Sequence, residues 1–277
     1  MSAAAAQRVV ITGAGSGLGR AIALAFAAQS ARIAVTDRDL DGAADTLKAV
    51  EAAGGSGFVQ SLDVTREADF AVLAERLALD WGGLDVLVNN AGVATAGTVA
   101  ESDLAQWQWV LDINLLGCVR GVRALAPLMT AQQSGHIVNV ASFAGIANPP
   151  ALASYNAAKA AVISLSETLR FEMAPHGVGV TVACPSFFKT RLLETSRRHA
   201  GDDAPAVPME GIVGRLMAKA SVTADDVARD IVEAVGHNTF MVISHSDARR
   251  LYHLKRLSPS LYFKMARKAT AGFLRGR

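Results

Sequence analysis

The sequence has little of what marks secreted, membrane-spanning or metal-binding proteins. It contains two cysteines, Cys118 and Cys184, both inside apolar stretches, which predicts buried free thiols rather than a disulfide framework. It has no apolar run near the roughly 20 residues that a membrane-spanning helix needs. Its six histidines form no spaced cluster with cysteines or carboxylates, so we expect no metal site.

The amino terminus also lacks the basic start and apolar segment of a secretory signal. Together with the two thiols, this favours a soluble protein in a reducing cytoplasm. The chain has 277 residues, of which 51% are hydrophobic and 19% are charged. It is therefore long enough for a sizeable core, and one domain is the simplest expectation.

Charge is distributed unevenly behind a net charge of +2. Nine of the 27 lysines and arginines lie at residues 245–277 beside one acid, Asp247, which leaves 18 basic and 24 acidic residues in the rest of the chain. We therefore predict one domain over residues 1–244 and a basic extension over residues 245–277. We expect no nucleic-acid partner.

Short apolar segments alternate with longer segments of helical periodicity. The apolar segments predict strands at Arg8–Thr12, Arg32–Thr36, Gly57–Leu62, Leu84–Asn89, His136–Ala141, Val178–Ala183 and Phe240–Ile243. Helices are predicted at about Gly17–Ala28, Asp39–Ala53, Glu67–Trp81, Asp103–Gln132, Ala153–Ala174 and Thr223–Val235, with Asp39, Thr65, Ser102 and Thr223 available as N-caps. Because strands this apolar are buried on both faces, the pattern predicts an α/β fold, a doubly wound, Rossmann-like parallel sheet with helices on both faces.

Residues 186–220 interrupt this alternation. The segment is long and contains Pro205 and Pro208. Since structureless loops of this length are uncommon unless they have a function, we predict that it covers a bound substrate.

The first predicted strand runs into a glycine-rich turn, residues 12–19 with the sequence TGAGSGLG. Glycines let backbone amides and the amino end of the following helix approach a pyrophosphate. Asp37 ends the second strand, where a carboxylate can accept hydrogen bonds from ribose hydroxyls, and Asp63 follows the third, within reach of an adenine amine. Each acid is also compatible with an ordinary turn or helix cap. All three features lie at carboxyl ends of strands, where ligands of open α/β sheets bind.

Polar residues follow the later strands as well. Asn89-Asn90-Ala91-Gly92 comes after the fourth strand, and Asn114 lies in a largely apolar helix, where its amide is either a satisfied core group or a functional one. Ser142 ends the fifth strand. Tyr155 and Lys159 are four residues apart in the next helix and therefore project from one face.

In the order and spacing of these motifs the chain closely resembles the classical short-chain dehydrogenase/reductase family. The resemblance spans about residues 8–243. The last of its motifs is Pro185-xxxx-Thr190, in which this chain has Pro185-Ser186 where the family usually has Pro-Gly. It implies an enzyme that transfers a hydride between a nicotinamide cofactor and a carbonyl or alcohol carbon.

The resemblance also implies residue roles. Tyr155 would be the general acid and base, with Lys159 and the positive nicotinamide favouring its phenolate. Ser142 would polarise the substrate oxygen, and Asn114 would hold a water in a proton relay to Lys159. Besides Tyr155 and Lys159, the implied cofactor site comprises Gly13, Ser16, Gly17, Leu18, Gly19, Asp37, Arg38, Asp63, Val64, Asn90, Ala91, Gly92, Pro185, Phe188 and Thr190.

Asp37 favours NAD, because a carboxylate beside the ribose repels the 2′-phosphate of NADP. The adjacent Arg38 keeps NADP open, since an arginine can pair with that phosphate. The predicted pocket lining is mostly apolar, for example Phe143 and Ile146, and favours a hydrophobic alcohol or ketone. Two other classes stay open: a cofactor-sensing regulator, and a membrane-surface or scaffold protein with little turnover.

Two assembly properties are also expected. The helices around residues 103–132 and 153–174 are long and alanine-rich, and in the family they form a subunit interface, so we expect a homodimer or homotetramer. The extension is predicted to form two short helices separated at Ser258-Pro259, with aromatic and aliphatic residues between basic ones. It either makes a peripheral contact with an anionic membrane or packs on the body or on a neighbouring subunit.

Overall fold

The computed structural model describes residues 6–95, 97–186 and 222–274, with side chains up to Thr270 in the last helix. The strands are β1 (Arg8–Thr12), β2 (Arg32–Asp37), β3 (Ser56–Ser61), β4 (Val86–Asn89), β5 (Gly135–Val140), β6 (Val178–Ala183) and β7 (Met241–Val242). The helices are α1 (Gly17–Ala27), α2 (Leu40–Ala52), α3 (Glu67–Trp81), α4 (Leu104–Leu111), α5 (Gly117–Gln132), α6 (Ala144–Ala147), α7 (Ala153–Met173), α8 (Ala224–His237), α9 (Ser246–Leu257) and α10 (Pro259–Leu274).

The strands form one parallel sheet in the order β3-β2-β1-β4-β5-β6-β7, which confirms the predicted doubly wound fold. Successive side chains of a strand point to opposite faces. In β1, Val9 and Ile11 accordingly pack in one apolar cluster, with α1 and α8, while Val10 packs in the cluster on the other face, with α3 and α5. Burial on both faces explains why the strands are continuously apolar.

The strand order reverses between β1 and β4. At such a switch point the connections leave toward opposite faces, and a crevice opens beyond the carboxyl ends of the two strands. The glycine-rich turn after β1 and the Asn90-Ala91-Gly92 segment after β4 therefore meet at this crevice.

Four N-caps were predicted, and two are confirmed. Asp39 accepts from the Gly42 amide, and Thr223 forms a capping box with Asp226. The predictions of Thr65 and Ser102 as N-caps are wrong. The Thr65 hydroxyl donates to Asp63 instead, and α4 is capped by Asp103, whose carboxylate accepts from the Gln106 amide at 2.7 Å.

The predicted helix over residues 103–132 is continuous but not uniform. A π-helical turn, Asp112–Leu116, separates α4 from α5 and contains the buried Asn114. Such turns occur mostly as single insertions in α-helices, frequently at functional sites. In the extension, α10 begins at Pro259 as predicted, because proline lacks the amide that a first helical position leaves unused.

Candidate functional site

The turn between β1 and α1 is shaped by the absence of side chains. A Cβ on Gly19 would lie 2.2 Å from the Gly13 carbonyl oxygen, and one on Gly13, where φ is +65°, would lie 2.8 Å from the Ala91 Cα. Gly17 also has positive φ, but open space surrounds its Cβ position. The turn thus packs tightly against its neighbours and leaves room above the amino end of α1, where Ser16 makes no side-chain cap and Leu18 is buried. This is the shape that a pyrophosphate needs.

The turn is fastened to the segment after β4. The Asn90 side-chain amide donates to the carbonyls of Thr12 at 2.9 Å and Gly13 at 3.1 Å. The Thr12 hydroxyl oxygen accepts from the amides of Asn90 at 3.0 Å and Ala91 at 3.1 Å. Asn90 and Ala91 belong to the predicted set, whereas Thr12 was missed. Its position at a strand end, directly before the first glycine, was the available signal.

Asp37 is held at the edge of the same turn. Its carboxylate accepts from the Gly15 amide at 2.9 Å and from the Asp39 amide at 3.0 Å. Gly15 was missed as a site residue. The structure shows that it lies against Asp37, since a Cβ there would be 2.9 Å from Asp37 Oδ2. The Asp37 carboxylate is therefore fixed by two backbone groups.

Asp63 lies beyond β3 and accepts from the Thr65 amide and hydroxyl. Burial acts to raise the pKa of Asp63, but the Thr65 hydrogen bonds and the positive charges of Arg38 and Arg66 outweigh it, so the pKa lies below its usual value. Arg38 itself is exposed and acts on Asp63. Val64, the next predicted residue, is buried against the position of Gly117.

Ser142 and Tyr155 meet at the carboxyl end of β5. Ser142 lies two residues beyond the strand, and its hydroxyl oxygen accepts from the Ala144 amide at 3.1 Å. The Tyr155 side chain is hydrogen-bonded to Ser142 and is 8% exposed. Burial raises the pKa of the Tyr155 phenol, and the bond to Ser142 acts in the opposite direction.

Lys159 lies one turn further along α7. Its ammonium group is buried, donates to the Val140 carbonyl at 2.8 Å and is 5.9 Å from the centre of the Tyr155 ring. Burial lowers the pKa of Lys159. The two cysteines are free and buried as predicted, and desolvation raises the pKa of the Cys118 thiol to about 11 and that of the Cys184 thiol to about 12.

Asn114 connects this cluster to the segment after β4. Its side-chain amide donates to the Val93 carbonyl and accepts from the Val93 amide, both at 2.8 Å. A Cβ on Gly92 would lie 2.9 Å from Asn114 Oδ1 and 3.4 Å from Lys159 Nζ, so these three residues are neighbours. Val93 was missed as a partner, because nothing in its own type marks it.

The remaining predicted residues lie after β6. The Pro185 carbonyl accepts from the Phe143 amide at 2.8 Å, which joins this loop to the loop carrying Ser142. Phe188, Thr190 and all of the predicted covering segment except Ser186 lie outside the described residues. Within the described part of the chain, no group of three or more His, Cys, Asp or Glu side chains is arranged to hold a metal ion.

Comparison with known proteins adds three findings. A family model described as short chain dehydrogenase matches residues 7–201. The chain is 37% identical over 262 residues to the probable oxidoreductase EphD of Mycobacterium tuberculosis, covering 94% of this chain but only 44% of that protein. It is 36% identical over 195 residues to a 3-oxoacyl-[acyl-carrier-protein] reductase of Synechocystis, covering 70% of this chain and 79% of the reductase.

A solved structure gives the same result for the fold. A short chain dehydrogenase/reductase from Burkholderia phymatum in complex with NAD has a TM-score of 0.86 and 33% sequence identity. The match covers 92% of this chain and 95% of that one. The chain thus spans nearly the whole length of the Burkholderia phymatum protein but less than half of EphD.

Proposed function

Because this chain belongs to the short chain dehydrogenase family, we propose that it is an NAD-dependent oxidoreductase that interconverts a hydrophobic secondary alcohol and a ketone. The observation that supports this most is the meeting of Ser142, Tyr155 and Lys159 at the carboxyl end of β5, beside the crevice of the sheet. A proton donor, a polarising hydroxyl and a cation are the groups that carbonyl reduction requires.

The cradle formed by the glycine-rich turn, residues 12–19, and the amino end of α1 fits a dinucleotide. Gly13 and Gly19 bring the turn close enough for its amides to face a pyrophosphate, and the room above Gly17 is where that group would lie. When it is bound, the nicotinamide supplies or accepts the hydride. Asp37 would hold the adenosine ribose, Asp63 and Val64 would border the adenine, and Lys159 would hold the nicotinamide ribose.

The preference for NAD rests on how Asp37 is held. To admit a 2′-phosphate, its carboxylate would have to turn away, and it would then lose its bonds from the Gly15 and Asp39 amides. Arg38, the candidate phosphate partner, instead acts on Asp63. Both observations favour NAD over NADP.

The proposed proton steps follow from the positions of Ser142, Tyr155 and Lys159. In ketone reduction the Tyr155 phenol donates its proton to the developing alkoxide, while Ser142 positions that oxygen. In alcohol oxidation Tyr155 must first lose its proton, and the Ser142 hydrogen bond favours the phenolate against the effect of burial. A positive charge on Lys159, 5.9 Å from the ring centre, would act in the same direction. The oxygen and the nitrogen of the Asn114 side-chain amide both bond to the Val93 backbone, so Asn114 orders the loop beside Lys159. We also propose that Asn114 holds a water in the proton relay to Lys159.

The proposed substrate class rests on the described apolar residues that we expect to line the substrate pocket. Val93, Ala94 and Phe143 are buried apolar residues beside the cluster, and Ile146 is half-buried. An apolar wall around a few convergent polar groups is typical of sites for hydrophobic ligands.

The test is an assay of the purified chain with a panel of ketones and secondary alcohols of increasing apolar length, with each cofactor, read at the absorbance band of the reduced nicotinamide. We expect turnover with the apolar members and a higher kcat/KM with NAD(H). A preference for NADP(H) would contradict the assignment of Asp37. Cofactor binding without turnover on any substrate would favour the alternative of a cofactor-sensing regulator.

We also propose a homodimer or homotetramer. Leu104 on α4 and Phe171 on α7 are 77% and 79% exposed in the single chain, which leaves large apolar side chains uncovered on the helices expected at the interface. Light scattering that gives the mass of a monomer at micromolar concentration would refute the assembly.

The extension supports a second property, contact with an anionic membrane surface. Its helices pack on the body through Ala248 and Tyr262, but Leu257 and Phe263 remain 85% and 58% exposed beside exposed basic residues. Apolar and basic side chains on one exposed surface are typical of interfacial helices. Among the described helices, none combines the length and hydropathy that crossing a bilayer requires. We propose the cytoplasm as the compartment.

Sedimentation with liposomes tests this contact. We expect Phe263→Ser to reduce binding to anionic vesicles at low salt. Val72→Ser, which alters an apolar side chain of α3 that is 60% exposed, should leave it unchanged. If wild type and Phe263→Ser sediment alike with anionic and neutral vesicles, the membrane contact is wrong and the face covers a protein surface.

A further inference from the structure

We propose that Tyr262, in the carboxyl-terminal extension, is a positioning residue of the active site that holds the α6 segment and, through it, Ser142. The inference rests on the proposed oxidoreductase function and assigns a task to a helix outside the residues that define the family resemblance.

Among the side chains of α10 that the structure describes, residues 259–270, Tyr262 is buried and the others are exposed or half-buried. Its side chain is 5% exposed, while Leu261 and Phe263 on either side are exposed. Its hydroxyl donates to the Ala147 carbonyl at 2.7 Å. Lys255 of α9 donates to the carbonyl of the preceding residue, Ile146, and lies 5.4 Å from the centre of the Tyr262 ring. Two residues of the extension thus bind the last two carbonyls of α6.

These carbonyls need partners from outside their own helix. The last turn of any helix leaves carbonyls without intrahelical donors, and α6 has only four residues. A helix this short has no stability of its own. Its position therefore depends on what contacts it at each end.

At its other end, α6 touches the catalytic cluster. The Ala144 amide donates to the Ser142 hydroxyl at 3.1 Å. A Cβ on Gly145 would lie 2.6 Å from the backbone carbon of Lys159 and from the Ala160 nitrogen, so α6 lies directly against α7. The segment is held between α7 on one side and the extension on the other.

Apolar contacts support the same arrangement. Ala248, Leu251 and Tyr252 of α9 pack in one apolar cluster with Phe143 and with two side chains of α6, Ile146 and Ala147. The extension therefore forms the outer layer of the wall that carries Ser142. Loss of the Tyr262 hydroxyl would leave the Ala147 carbonyl without this donor and loosen α6 relative to α7.

The test is Tyr262→Phe, which removes the hydroxyl and keeps the ring. One buried hydrogen bond corresponds to about a fivefold change in an equilibrium constant, so we expect kcat/KM for alcohol oxidation to fall about fivefold, with an unchanged Kd for NAD. The rising limb of the pH profile should move to higher pH, because a displaced Ser142 no longer lowers the pKa of Tyr155. Tyr252→Phe is the matched control, since the Tyr252 hydroxyl accepts from Arg256 of its own helix.

Two further measurements separate positioning from general stability. In a Ser142→Ala background, Tyr262→Phe should cause no additional loss of kcat/KM, because its effect passes through Ser142. Equal losses in both backgrounds would overturn the proposal. Hydrogen exchange of the α6 amides without substrate should be faster in Tyr262→Phe than in Tyr252→Phe, and equal rates would also overturn it. Because exchange needs no turnover, a failure to find any substrate counts against the proposed function and leaves this result decisive for Tyr262.

Discussion

The two ends of the site are built in different ways. The dinucleotide cradle depends on backbone and on the absence of side chains at Gly13 and Gly19, where added atoms would collide with the chain. The proton-transfer cluster depends on side chains, the half-buried Ser142 and the buried Tyr155 and Lys159, each held by a hydrogen bond. Changes in the first region should therefore act on packing and binding, and changes in the second on turnover.

The largest expected effect lies in the cluster. Tyr155→Phe removes the proton donor and little volume, so we expect kcat to fall by about a thousandfold, within the usual range for a general acid or base. The Kd for NAD, measured by titration calorimetry, should stay within a few-fold of wild type. Turnover close to wild type would show that another group moves the proton.

A change in the cradle should lower the affinity for NAD more than it lowers turnover. In Gly19→Ala the new Cβ would meet the Gly13 carbonyl oxygen, which must move. We expect the Kd for NAD to rise by more than tenfold and unfolding to become easier by a few kcal/mol, as for other overpacked sites.

Gly236→Ala is the matched control for this steric effect. No atom lies within 4 Å of that Cβ position, in α8, so the change should leave NAD binding intact and stabilise the helix by up to about 1 kcal/mol. If both variants bind NAD alike, the close approach in the glycine turn is not what shapes the cradle.

A smaller effect is expected near the amino ends of the strands, on the side of the sheet opposite the site. His136, near the start of β5, pairs with Thr181 at 2.7 Å, and burial lowers its pKa to about 4. In the unfolded chain a histidine titrates near its usual pKa of about 6.5. Between these values only the unfolded chain binds the proton. The contribution of His136 to stability should therefore be constant above about pH 6.5 and decrease as the pH falls toward 4, by at most about 3 kcal/mol.

Urea unfolding between pH 8 and 4 measures this dependence. His136→Gln, which carries no titrating ring, should lack this part of the acid dependence. Parallel stability curves for the two proteins would show that His136 is not the group responsible.

The sequence predicted the fold from physics that is local to each strand. Continuous apolar segments such as Val9-Val10-Ile11 indicate burial on both faces, and that implies a parallel sheet with two helical layers. Tyr155 and Lys159 could be paired because helix periodicity places them on one face. The hydrogen bonds of Thr12, Gly15 and Val93 could not be assigned, since each has a backbone group at one end and joins segments that only the folded chain brings close.

The misassigned caps and the docked extension have the same cause. Thr65 is a good N-cap by residue type, but the Asp63 carboxylate competes for its hydroxyl. Tyr262 reaches a carbonyl 115 residues earlier in the chain. Its helix showed amphipathic character without showing what its apolar face would meet.

Cofactor binding and proton transfer thus reside in separate parts of one site. The most direct measurement of this separation is a parallel titration of NAD affinity and of turnover at saturating NAD, in Tyr155→Phe and Gly19→Ala. We expect Tyr155→Phe to keep its affinity for NAD and lose turnover, and Gly19→Ala to lose affinity and recover most of its turnover at saturating NAD. A loss of both properties in proportion, in both variants, would contradict the separation.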